Sequence, residues 1–338
     1  MKHLFIINPK AGQIAGHVDE IEENIRRFFS ANPREDYSLH ICRWKRDASG
    51  FTRRTINNAP EIVRVYAVGG GGTFFEVLNG VVGMPNAQVA WYALGNNNSM
   101  LYTFGGNEKI SAFQSLQNLS FSQVVTLDTI RAGNHYMITN ALIGAEAEAS
   151  KVGEMLAEKT HLPKNFCYLA WEMVRPLLHM HSQYYHFETE HISVEGEFYS
   201  ILLTNIPTYG MGLNPAGDAR FNDGYMDVYT IKPLPWKKSP RVIADYIKGR
   251  YYKWPEYITH YRCKKFRISS DVTMTISLDG ELFYDISLDF EICPASVNFV
   301  CPPGIVVPRV PAGLAPAATL TPAASELVSS QTLNEAQF

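Results

Sequence analysis

Two rhythms of apolar and polar positions divide the chain. Over the first third, short apolar runs at 4–7, 37–42, 62–68 and 89–93 alternate with longer stretches whose apolar residues recur every three or four positions. Side chains share a face every two residues in a strand and every 3.6 in a helix, so the runs predict strands and the stretches helices. Across 17–29, Val18, Ile21, Ile25 and Phe28 form one face and acids occupy the other. Asp47 stands where a helix cap is expected, and a further helix is expected over 73–82. Such alternation predicts a parallel sheet with helices on both faces.

From Val124 the rhythm changes. Strand-like runs at 124–131, 135–140, 185–194, 200–205, 226–231, 273–278 and 288–293 follow one another, interrupted by helical stretches at 165–181 (with Pro176 as a kink) and 239–246. Many strands separated by turns predict an antiparallel second domain, a β-sandwich. After Pro302 the composition is Ala, Pro, Ser, Thr and Val without any period, which predicts a disordered tail over 312–338.

Composition narrows the class. The 338 residues are 46% hydrophobic and 19% charged, enough apolar material for two modest packed domains. Thirty-three acids against 30 bases leave a net charge of −3, without the basic excess of a nucleic-acid partner. Five scattered cysteines contain no CxxC, which argues against a disulfide framework or zinc site and suits a reducing cytoplasm. The start, MKHLFIINPKAG, reads as a first strand rather than a signal peptide. No apolar run is long enough for a transmembrane helix, so work on a membrane would be done from the water side.

The candidate chemistry begins at Gly69-Gly70-Gly71-Gly72-Thr73, between an expected strand and an expected helix. Glycines there permit positive φ and close approach of a phosphate, and successive N–H groups at a helix N-terminus form an anion nest. Thr73 is a candidate cap or phosphate ligand. No Lys-Ser/Thr pair follows the glycines, and Phe74 replaces the third glycine of the dinucleotide fingerprint, which excludes both common nucleotide motifs. A tight turn without a ligand is the alternative.

Further blocks share this context. Asn8-Pro9-Lys10-Ala11-Gly12 precedes the glycine run; Asn140-Ala141-Leu142-Ile143-Gly144-Ala145-Glu146-Ala147, the Asp218–Val228 block and Asp279-Gly280-Glu281 follow it. In this order they resemble the NPxxG, GGDGT…E…NG, N…xGxDA, DA…DGxLDV and DGE blocks of the diacylglycerol kinase-like lipid kinases. NAD kinases share the glycine turn, but the last two blocks favour the lipid branch. The resemblance implies an α/β nucleotide-binding domain over 1–123 and a larger β-sandwich substrate domain over 124–296. It also implies a segment over 297–311 returning to the first domain before the tail. It further implies an ATP-dependent kinase that transfers the γ-phosphate to a lipid hydroxyl such as that of diacylglycerol, with ATP and Mg²⁺ as cofactors.

Site residues follow residue by residue. Glu281 matches the general base. Asn8, Gly69, Gly70, Gly71, Gly72, Thr73, Gly95, Asn96 and Asn98 match nucleotide-binding positions. Arg220, Asp223 and Tyr225 match a structural magnesium site built from one carboxylate and two carbonyls; an Asn-Asp-Gly turn is its plain alternative. Two departures stand out. Gly71 replaces the Asp that helps hold magnesium in relatives, and Asn96 and Ser99 replace the Thr and Asp of PxGTxND. These changes open a second reading, a weak or inactive paralogue that binds nucleotide or lipid; a kinase of a soluble nucleotide-like substrate is a third. The stretch from Lys232 to Arg267 interleaves bases with Trp236, Tyr251, Tyr252, Trp254 and Tyr257, a candidate contact with anionic membranes whose alternative is an ordinary solvated face. Oligomeric state is left open, a dimer being one option.

Overall fold

The computed structural model describes residues 1–95, 99–105, 107–150, 182–209 and 212–305. The helix expected over 165–181, the tail over 312–338 and the residues Asn96 and Asn98 lie outside that set.

In the first part, β1 (Lys2–Ile7), β2 (Asp36–Ile41), β3 (Val63–Val68) and β4 (Ala87–Tyr92) alternate with helices α1 (Val18–Ser30), α2 (Asp47–Asn57) and α3 (Gly71–Val81). Every residue of β3 is buried, as a strand covered on both faces requires. On α1, Ile21, Ile25 and Phe29 face the core at i, i+4 and i+8, while Asp19 and Glu20 complement the positive N-terminal end. The strands pair in parallel in the order β2-β1-β3-β4, so the chain switches sides of β1 after β2. Loops leaving the carboxyl ends of these strands therefore converge on one edge.

The second part is antiparallel. It comprises β5 (Gln123–Ala132), β6 (His135–Met137), β7 (Asn140–Gly144), β8 (Gln183–Thr189), β9 (Ser193–Phe198) and β10 (Ser200–Thr204). After these come β11 (Met226–Ile231), β12 (Ile258–Cys263), β13 (Lys265–Leu278) and β14 (Glu281–Cys301). One apolar cluster packs Tyr185, Phe187, Ile201, Phe266 and Ile276, and a second packs Tyr229 and Ile231 against Val242 and Tyr246 of the helix Ser239–Tyr246. The α/β-plus-β-sandwich class expected from the sequence is the class observed.

β14 joins the two parts. Its first half forms an antiparallel hairpin with β13; its last residues pair with β5 and, through Phe299 opposite Val89, run parallel to β4. Phe290 and Ile292 lie in the second-part core, whereas Phe299, Val300 and Cys301 lie in the first. A bulge between Cys293 and Val297, with Ala295 at φ 47°, turns the strand from one to the other. Asp128 holds this bend by accepting from Ala295 N (2.8 Å) and Gly224 N (2.7 Å).

Several expected strands change shape. The run 185–194 is a hairpin: β8 and β9 turn over residues 190–192, where Thr189 N donates to Ile192 O at 2.9 Å. The run 135–140 splits into β6 and β7 because Ile138, Thr139 and Asn140 turn their N–H groups onto the Asp279 carboxylate at 2.8, 2.9 and 3.1 Å. The runs 273–278 and 288–293 are parts of the longer β13 and β14. β12, buried only at its ends Ile258 and Cys263, has no alternating period for a sequence reading to find.

Asp279 itself sits at φ 50° in the β13–β14 turn, and Thr139 Oγ1 donates a further bond to it. Burial pushes its carboxyl above the usual range, while these donors pull it back. Removing a buried acceptor strands its donors at ~1–3 kcal/mol each. Asp279→Ala should therefore lower unfolding free energy by ~3 kcal/mol or more in chemical denaturation, with Asp279→Asn losing less. Equal stability of all three proteins would show that the turn stands without the carboxylate.

Candidate active site

The carboxyl ends of the parallel strands bring the sequence candidates together. Asn8 follows β1, Gly69 follows β3, and residues 93–95 follow β4. Asn8 Nδ2 donates to Thr73 Oγ1 at 3.0 Å, and its Oδ1 accepts from Lys10 N at 3.0 Å. Trp91 Nε1 donates to Gly69 O at 3.0 Å, while Gly69 N donates to Tyr92 O at 3.1 Å. These bonds tie the glycine turn to the strands on either side. Of the two roles open to Thr73, the helix cap falls instead to Gly70, with φ −92° and ψ −166°.

None of Gly69 to Gly72 has a positive φ, so left-handed backbone is not what the run supplies. Close approach is. A Cβ on Gly95 would lie 2.2 Å from Gly70 Cα and 2.3 Å from Gly70 N, and one on Gly69 would lie 2.4 Å from Thr73 Oγ1. A Cβ on Gly72 would lie 2.7 Å from Glu281 Oε1. The candidate base thus rests directly on the first turn of α3. The first N–H groups of a helix lack intrahelical partners and carry its positive end, so the acidic group lies beside a helix end that favours negative charge.

The turn after β2 completes it. Lys45 Nζ lies 2.7 Å from Glu281 Oε2. Glu76 on α3 accepts from Arg46 N (2.8 Å) and Ala48 N (3.3 Å), thereby capping α2 from a neighbouring helix. Burial raises the Glu76 carboxyl, the Arg46 and Ala48 N–H groups oppose this, and the charge of Glu281 adds to it. Asp47 accepts from Arg43 N at 3.1 Å and pairs with His40 Nε2 at 2.9 Å. Cys42 is part-buried, which pushes its thiol up to about 12 and leaves it protonated.

Two other family-matched residues, Asn79 and Glu146, are engaged inside the fold. Asn79 binds Tyr136 from both ends of its amide, at 2.8 and 2.9 Å, and so holds α3 to β6. Glu146 is buried, accepting from Ser200 Oγ (2.9 Å) and Tyr209 OH (2.6 Å). Lys45 was missed from the sequence, because nothing local in Arg43-Trp44-Lys45-Arg46 reveals contact with a residue more than two hundred positions away.

Of the expected magnesium ligands, the Asp223 carboxylate is already engaged. One oxygen of Asp223 forms an ion pair with Arg262, and the other accepts from Tyr225 N at 3.1 Å. Arg262 also lies 5.1 Å from the centre of the Tyr225 ring, and its Nε is 3.7 Å from Asp227 Oδ1. Burial raises the Asp223 carboxyl, with Arg262 the first influence opposing it. The Arg220 guanidinium turns outward to Gly217 O and Ala219 O at 3.0 and 2.8 Å. Within the chain, the Arg262 guanidinium is the group that neutralises the Asp223 carboxylate. The glycine turn offers no better cage. Asp47 and Glu76 are committed to N–H groups, Glu281 is paired, and no cluster of three or more His, Cys, Asp or Glu among the described residues could hold a metal.

Comparison with known proteins agrees with this architecture. Residues 2–132 match the diacylglycerol kinase catalytic domain, and residues 141–301 match the YegS C-terminal NAD kinase beta sandwich-like domain. The chain belongs to the diacylglycerol kinase-like lipid kinase family. Within it, the chain is 24% identical over 249 residues to a protein of Shewanella frigidimarina named a probable YegS-like lipid kinase, covering 72% of this chain and 78% of that one. A crystal structure titled a diacylglycerol kinase from Bacillus anthracis superposes with a TM-score of 0.64 at 18% identity, covering 90% of this chain and 98% of that one.

If Arg262 supplies the charge at this loop, the melting temperature of the nucleotide-free protein should be the same in millimolar magnesium and in EDTA. Arg262→Ala should cost ~3–5 kcal/mol, the scale of a buried charge left alone. A wild-type melting temperature that rises with magnesium would show that the loop takes the ion after all.

Proposed function

We propose that the chain is an ATP-dependent lipid kinase that moves the γ-phosphoryl group to a lipid hydroxyl, diacylglycerol being the first acceptor to test. The observation that carries this reading is the Glu281 carboxylate lying against Gly72. It puts a proton acceptor beside the N-terminus of α3, where the family's glycine turn receives phosphates. In this reading Asn8 fixes Thr73, Gly95 leaves room for Gly70, and the N–H groups of Gly71 to Thr73 hold the phosphates. Glu281 takes the acceptor proton as the hydroxyl oxygen attacks, and positioning does most of the rest. Magnesium arrives as part of the Mg–ATP substrate. Phe75, His135 and Phe283 form an aromatic cluster with ring centroids 4.7 to 6.3 Å apart, in which Phe75 of α3 packs into the second-part core.

A second reading, a binding paralogue without turnover, is favoured by Gly71 and by the Lys45–Glu281 pair, which occupies the base. Radiolabelled phosphate transfer to diacylglycerol in mixed micelles separates the two. Glu281→Gln should abolish transfer while sparing ATP binding. Gly71→Asp should raise transfer by about one to three orders of magnitude, the ~2–4 kcal/mol scale of a preorganised electrostatic partner. Absence of transfer in wild type and Gly71→Asp alike favours the paralogue.

The acceptor is lipid, so the protein must meet an interface; no helix among the described residues is long and apolar enough to cross a membrane. Within 232–267 much of the basic charge is already neutralised: Arg250 and Lys253 by Asp245, Arg262 by Asp223, Lys265 by Glu291 and Arg267 by Asp289. What projects is the turn around Trp236, 78% exposed, with Lys237 5.5 Å from its ring and Lys232 and Lys238 nearby in sequence. Co-sedimentation with anionic vesicles should occur at low salt, weaken at high salt and fall sharply in a Trp236→Ala/Lys237→Glu double variant. Binding indifferent to that double change would move the contact elsewhere.

A further inference from the structure

Lys45 is held in place more firmly than an exposed lysine needs to be. Arg46 beside it adopts φ 70°, a left-handed backbone that a non-glycine residue rarely takes. Its N–H and that of Ala48 are gripped by Glu76, and two residues before Lys45 the Arg43 N–H is gripped by Asp47. The turn is thus pinned to α3 on one side and to the start of α2 on the other. From it the Lys45 side chain, 71% exposed, reaches Glu281, whose other oxygen faces Gly72. Stability does not account for this arrangement, since an exposed ion pair contributes only ~0–1 kcal/mol.

Charge accounts for it better. Phosphoryl transfer spreads negative charge over the equatorial oxygens and the leaving oxygen, and some fixed cation must meet it. Gly71 provides no carboxylate to fix a metal there. Lys45 delivers a mobile ammonium on a pinned turn to the same corner.

Resting on the kinase reading above, we propose that Lys45 is a catalytic cation that exchanges partners. Without nucleotide it neutralises Glu281. When the triphosphate settles on the N-terminus of α3, the ammonium moves to the terminal phosphate and frees Glu281 to act as base. The acceptor O–H proton then passes to Glu281 as the hydroxyl oxygen forms its bond to the γ-phosphorus. The bond from γ-phosphorus to the bridging oxygen breaks, its electron pair leaving with the nucleoside diphosphate. Lys45 keeps its proton throughout. The resting ion pair also masks the base until nucleotide arrives.

The test uses the full chain with ATP and ADP as probes, titrated calorimetrically, alongside phosphate transfer to diacylglycerol. Lys45→Met should weaken ATP about tenfold and leave ADP nearly unchanged, the scale of one charged hydrogen bond to the terminal phosphate. Transfer should fall about 100-fold, and Lys45→Arg should recover most of both. Equal weakening of ATP and ADP, or transfer unaffected by Lys45→Met, overturns the proposal and leaves Lys45 as a prop for Glu281. A wild type that binds ATP without transferring phosphate overturns the kinase reading, while the ATP-over-ADP preference still decides the Lys45 contact. A wild type that binds neither nucleotide overturns both.

Discussion

The carboxylate of Asp279 governs where everything else can stand. By collecting three consecutive N–H groups at 138–140 it stops one strand, starts another and fixes the β13–β14 turn at a left-handed residue. Glu281, two residues on, lies over the first turn of α3. A buried carboxylate without these donors would be expensive, and these donors without the carboxylate would be orphaned, so the two requirements lock each other. The neighbouring Asn79, bound to Tyr136 at both ends of its amide, brings α3 to the same place.

Sheet topology supplies the other half of the corner. Parallel strands send all their carboxyl ends the same way, so Asn8, Gly69, the 43–47 turn and Gly95 meet without being near in sequence. Glycine is required there because two loops touch backbone to backbone and because a carboxylate occupies the space of a Cβ. The space left free at Gly72 is the space that Glu281 Oε1 takes.

Charge is redistributed relative to the family pattern. Gly71 lacks the carboxylate that would hold a metal, Arg262 sits on the carboxylate expected to bind another, and Lys45 faces the candidate base. At Asp223 and at Glu281 an organic cation of the chain itself pairs with the carboxylate. A guanidinium matches a carboxylate with fixed planar geometry, which suits a permanent structural pair at Asp223. An ammonium on a flexible stem suits an exchangeable one at Glu281.

Periodicity alone revealed the alternating first part, the antiparallel second part and the helix Ser239–Tyr246, because burial of one face is written locally in residue spacing. The order of the motif blocks named the family and pointed to Asn8, the glycine run, Gly95 and Glu281. Tertiary structure alone decided that 135–140 breaks, that 185–194 is a hairpin, that β14 serves both cores, and that Asp223 belongs to Arg262. It alone set Lys45 against Glu281. Apart from the local hairpin turn, each of these depends on partners tens to hundreds of residues apart, and neither hydrophobic period nor motif spacing carries that distance. What a chain buries is legible along it; which charges it pairs is settled only when the folded backbone brings them within reach.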